Sequence, residues 1–218
     1  MSILSIPGGT FDVDRHIYRD EQGKFVPSLT QVLHLCGFYN YHGVKDDVME
    51  TAAKRGTMVH ACAEMHARFG AIDETWLTDE LAPYVDAYLK FLVETNFTPE
   101  VGSVEQPMVA IFCGMKYGVK PDLIGKRNGG GPPTVIELKA TATAQPDVWA
   151  VQTLAQAIAK FGEHRYAEAR RHALMLRPDG NYRLLTCDKT QRDVNVFRSA
   201  LTCVWFRLDA GQKLEEVV

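Results

Sequence analysis

A chain of 218 residues, 46% hydrophobic and 23% charged with no low-complexity tract, is long enough to bury a core without disulfides or metal. No apolar run reaches the length of a membrane span, and residues 1–10 lack the basic start and apolar stretch of a secretory signal, so an intracellular, cytoplasmic protein is expected. The five cysteines are far apart and form no C-x-x-C pair, which speaks against a zinc ribbon and for free thiols in a reducing compartment. The net charge of −3 is unevenly spread: residues 116–183 carry 11 basic against 6 acidic side chains, and the remainder 13 against 21. A basic segment in an acidic chain fits a local groove for a polyanion, and it also fits ordinary segregation of solvated faces.

In chain order, residues 15–26 read as a short hairpin with a polar tip at 20–24. Ser28, with Gln31 three residues on, is a capping-box start for a helix, and 37–50 reads as irregular. Apolar positions Val59, Cys62, Ala63, His66 and Phe69 repeat at helical spacing over about 47–69 and end at Gly70. A second amphipathic helix covers 79–95. Residues 101–112, 115–126 and 133–140 read as strands, 146–161 as a helix with proline in its first turn, 172–176 and 181–187 as a strand pair, and about 190–208 as a closing helix. The order predicts a single mixed α/β domain over residues 1–218, its central sheet flanked by helices, with a helical and hairpin elaboration over about 1–95.

The stretch "YGVKPDLIGKRNGGGPPTVIELKAT" (117–141) carries the most chemistry. If its two strands fold about residues 129–130, Asp122 faces Glu137, with Cβ atoms about 5 Å apart. Two carboxylates that close repel and call for a shared proton or a cation. Lys139 projects from the same face, and Leu138 from the other, toward Val135, Ile136 and Leu123. Such oxygens suit Mg²⁺ or Mn²⁺, and the lysine can hold a water or stabilise charge on a phosphate. The same pattern also describes a plain hairpin with a cross-strand lysine–carboxylate pair. No phosphate-binding G-x-x-x-x-G-K-[ST], H-E-x-x-H or G-x-S-x-G is present.

Pro121–Asp122 and Glu137-Leu138-Lys139 make this stretch resemble the PD-(D/E)XK nuclease superfamily. "KRGTMVHACAE" (54–64) is similar to the helix of its RecB-type exonuclease branch, which includes phage exonucleases and the mitochondrial genome maintenance exonuclease; "VPSLTQVL" (26–33) looks like the start of phage members. The branch also carries Q-x-x-x-Y on a following helix; here Gln152 matches, while Gln156 stands where the tyrosine is expected. The resemblance spans residues 26–160 and implies a restriction-endonuclease-like core. It implies Mg²⁺ or Mn²⁺ held by His60, Asp122, Glu137 and the carbonyl of Leu138. Lys139 would position or activate the attacking water, and Gln152 would orient the strand or the lysine.

Glu64, one turn beyond His60, would bind metal-bound water or simply bond the histidine. Glu105 reads as a solvent-facing acid at a strand end, with support of the metal shell as the other reading. Arg55, Lys126 and Arg127 are phosphate contacts or ordinary surface charge, and Trp149 stacks a base or fills the core. The iron–sulfur members of the branch carry a C-terminal cysteine cluster that Cys187 and Cys203 do not supply, so no iron–sulfur cluster is expected. The implied activity is a DNA exonuclease that leaves a 5′-phosphate, with DNA, single-stranded or as duplex ends, as partner and no membrane. An endonuclease, and a non-catalytic nucleic-acid-binding or interaction module, are the alternatives.

Overall fold

The computed structural model describes residues 2–39 and 45–214. Strands β1 (Ile3–Ile6), β2 (Gly9–Asp12), β3 (Ile17–Asp20) and β4 (Phe25–Val26) form an antiparallel sheet in that order. The expected hairpin is thus β3–β4, and two further strands precede it. Helix α1 (Leu29–Leu35) starts on the expected box: Ser28 Oγ accepts the Gln31 N–H at 3.1 Å, and Gln31 Oε1 accepts the Ser28 N–H at 2.9 Å. Part of the irregular stretch expected over 37–50, residues 40–44, lies outside the described residues. Helix α2 (Asp46–Phe69) closes on Gly70, whose φ of 72° is the left-handed cap that glycine permits. Helix α3 (Ala82–Thr95) follows.

β5 (Phe97–Pro99) leads to β6 (Met108–Phe112) and β7 (Met115–Val119), which pair as a separate hairpin. β8 (Leu123–Arg127), β9 (Gly130–Ala140), helix α4 (Pro146–Phe161), β10 (Arg170–Leu176), β11 (Tyr182–Thr186) and helix α5 (Thr190–Asp209) complete the chain. The central sheet runs β11-β10-β9-β8-β5, antiparallel except for β9–β10, whose parallel pairing needs the α4 crossover. The fold is mixed α/β with helices on both faces of this sheet, as expected. The continuous strand expected over 115–126 is instead broken at Lys120–Pro121, where proline offers no N–H to a ladder; β7 and β8 belong to different sheets.

One sheet face packs Leu123, Ile136, Leu138 and Leu174 under Val59 and Cys62 of α2 and Val85, Tyr88 and Phe91 of α3. The other packs Ile124 and Val135 against Ala157 of α4, so Val135 lies opposite Leu138 rather than beside it. Residues 149–158 of α4 are all buried, because α1, α5 and the β6–β7 hairpin cover its outer side through Val32, Tyr117 and Phe197. The N-terminal sheet docks on that hairpin: the Gly118 N–H donates to Pro27 O at 2.9 Å, and a Cβ at Gly118 would collide with the ring of Tyr18. All five cysteines are free. No helix among the described residues is long and apolar enough to cross a membrane.

Candidate metal centre

The β8–β9 hairpin sets the position of the acids. Leu123 pairs with Ile136, Ile124 with Val135 and Gly125 with Thr134, and the pairing then shifts so that Arg127 meets Gly130. The turn is Asn128–Gly129, with φ of 54° and 65°, the left-handed pair that a two-residue hairpin favours. It lies one residue earlier than expected, and the extra residues sit on the β9 side. Because the slip is even, side chains keep their faces, and one step beyond Leu123–Ile136 brings Asp122 opposite Glu137.

Asp122 is 6% exposed, and its Oδ2 accepts the Leu138 N–H at 2.7 Å. Glu137, 3% exposed, is held at both oxygens: Lys139 Nζ lies 2.5 Å from Oε1, and Gln156 Nε2 donates to Oε2. From α2, His60 Nδ1 reaches Glu105 Oε1 at 2.7 Å and Asp122 Oδ1 at 3.5 Å. The other Glu105 oxygen meets Lys120 Nζ at 2.5 Å. His60, Glu105 and Asp122 each offer a ligand atom within 4.8 Å of the others, making a pocket of oxygen and imidazole donors at the start of β8.

The electrostatics follow from packing three acids away from water. Burial, then the carboxylate of Glu137, pushes the Asp122 carboxyl up to about 8, with His60 opposing. Burial works against a charged His60, but Asp122 and Glu105 outweigh it and push the imidazole up to about 9. Burial likewise opposes an ionised Glu105, and the contacts with His60 and Lys120 outweigh it, holding the carboxyl below its ordinary value. Lys139 is held above the usual lysine range, because Glu137 and Asp122 outweigh its burial.

Glu105 is therefore not a solvent-facing acid at a strand end: it is 6% exposed and lies outside any strand. Its φ of 51° turns the chain inward, and its N–H donates to Pro121 O at 2.9 Å. Residues 104–107 form no paired strand, so the strand end expected at Glu105 is absent. Sequence reasoning does not single out Lys120, although it lies two residues before Asp122 and an extended chain puts both on one side.

The remaining residues fall outside the cluster. Glu64 pairs with Arg68 at 2.7 Å, one turn along α2. Arg55 bonds Glu80 at 3.2 Å and stands over the Tyr84 ring at 5.1 Å, joining α2 to the α3 region. Lys126 and Arg127 sit at the far end of β8, about 13–17 Å along the strand from Asp122. Trp149, 4% exposed among Ala173 and Met175, is a core residue and has no face free to stack a base. Gln152 is buried, and its Oε1 has no partner among the described residues; Gln156, not Gln152, reaches the acids. No protein-family model matches the chain, and no curated protein does.

Proposed function

We propose that this protein is a divalent-cation-dependent deoxyribonuclease acting as an exonuclease. One observation carries the reading: α2, the turn at Glu105 and the β8–β9 hairpin bring His60, Glu105 and Asp122 together beside the Glu137–Lys139 pair. Among these acids Asp122 alone has no ammonium partner; its Oδ1 faces His60 at 3.5 Å, beyond a good hydrogen bond. Carboxylates with one imidazole fit a small hard cation, and the imidazole shifts the preference toward Mn²⁺.

His60, Asp122, Glu137 and the carbonyl of Leu138 would hold the ion, joined by Glu105. The cation would supply positive charge against the scissile phosphate and acidify a water. Lys139, an ammonium anchored on Glu137, donates to and orients a water or phosphate oxygen. The choice of DNA and of attack from an end rests on the resemblance of 54–64 and of the paired PD and ExK segments to RecB-type exonucleases.

A second reading, a non-catalytic nucleic-acid-binding module, is favoured by the internal neutralisation of Glu105 and Glu137, each engaged at both oxygens by the protein's own donors. Incubation with 5′-labelled, 3′-labelled and circular DNA in Mg²⁺ or Mn²⁺ separates the readings. An exonuclease shortens the linear substrates, spares the circle and stops in chelator. A cut circle means an endonuclease, and no cleavage in either metal leaves the binding module.

A further inference from the structure

Between 149 and 158, where α4 is wholly buried, its polar side chains are Gln152, Thr153 and Gln156. Thr153 satisfies itself on Ala150 O at 3.0 Å. Gln156, 2% exposed, donates its Nε2 to Glu137 Oε2, while its Oε1, like that of Gln152, has no partner among the described residues. A buried polar atom left unpaired costs about 1–3 kcal/mol, and the adjacent Leu154, Ala155, Ala157 and Ile158 are all apolar. Packing alone gives no reason for an amide here. Its effect on Glu137 does. Lys139 holds one oxygen from within β9 itself, through a flexible stem, whereas Gln156 holds the other from a separate, rigid helix. Two donors from two elements fix the plane of the carboxylate; with one donor it can rotate about its terminal torsion, which is broad.

We propose that Gln156 is a positioning residue that locks the Glu137 carboxylate in the orientation needed to share a divalent cation with Asp122. The inference rests on the reading of this cluster as a cation site. Gln156 would act through Glu137, its one hydrogen-bond partner among the described residues, rather than on the cation itself. Loss of such outer partners commonly weakens metal affinity by about 10–100-fold.

The test is a calorimetric titration of Mn²⁺ into the full chain and into Gln156→Met and Gln156→Asn, with thermal unfolding measured without metal. Methionine removes the donor at similar length; asparagine keeps the amide but draws it back by one methylene, so one folded variant is at hand if the other fails to fold. Each folded variant is expected to bind Mn²⁺ about 10–100-fold more weakly than the parent, with a metal-free melting temperature close to the parent's, so that the affinity loss is not a loss of fold. Parent-like Mn²⁺ affinity in either folded variant overturns the role of Gln156. Absence of Mn²⁺ binding by the parent overturns the cation-site reading instead, and the two failures are told apart by the parent titration alone.

Discussion

Two groups of buried charges touch α4, and they are built differently. Arg171 on β10 and Asp193 on α5 pair at 2.9 Å with side chains 2% and 0% exposed. Arg171 also donates to Ala150 O at 2.7 Å and Thr190 Oγ1 at 3.1 Å, while Arg192 covers the other Asp193 oxygen at 2.8 Å. Donors match acceptors, and three elements are tied together. In the cluster around Asp122, three acids share two lysines and a histidine, and one acid is left pushed up to about 8. A closed pair serves the fold; a buried acid held this far from its ordinary value marks a candidate place for something else to bind.

The contrast can be broken by mutation. Asp122→Asn should abolish DNA cleavage while leaving the metal-free melting temperature at neutral pH close to the parent's, because the buried carboxyl, pushed up to about 8, is largely protonated there and an amide oxygen still accepts the Leu138 N–H; gel assays and thermal unfolding read both. Asp193→Ala should do the reverse at its own site, costing about 3–5 kcal/mol by stranding Arg171, as denaturant unfolding would show.

His172 on β10 gives a smaller, pH-dependent effect. It is 6% exposed, both ring nitrogens lack a partner among the described residues, and burial, then Arg127 and Arg170, push it down to about 4. A folded value below the ordinary 6.5 means that the unfolded chain takes up the proton first. Its contribution is therefore complete above pH 6.5 and is lost as the pH falls toward 4, by at most about 3 kcal/mol. In His172→Leu the fall in stability over that window should shrink accordingly, which urea unfolding at a series of pH values would measure. Lys126→Ala, at the exposed far end of β8, should change stability by less than about 0.5 kcal/mol and leave cleavage unaltered.

These regions also differ in how far the sequence exposes them. The helices are legible because their ends are chemically marked: Ser28 with Gln31 starts α1, Gly70 stops α2, and a first-turn proline opens α4. The facing of Asp122 and Glu137 is legible because side chains alternate strictly, and an even slip in the hairpin leaves that alternation intact. Glu105 is not, since a left-handed residue leaves no local mark when it is not glycine. The first two strands escape because they are four residues each, too short to show the apolar alternation of a half-buried strand; β1 is largely exposed and β2 buries only Phe11. Trp149 and Gln156 depend on what covers the outer side of α4, which is decided by α1, α5 and the β6–β7 hairpin far away in sequence.

The central claim is that the Asp122 cluster is a cation site. Crystals soaked in Mn²⁺ and measured for anomalous scattering test it most directly. A cation site there gives a peak within about 2.5 Å of Asp122 Oδ1, with the His60 imidazole turned from Glu105 toward the ion. Saturating Mn²⁺ with no peak at Asp122, and His60 still bonded to Glu105, would contradict it.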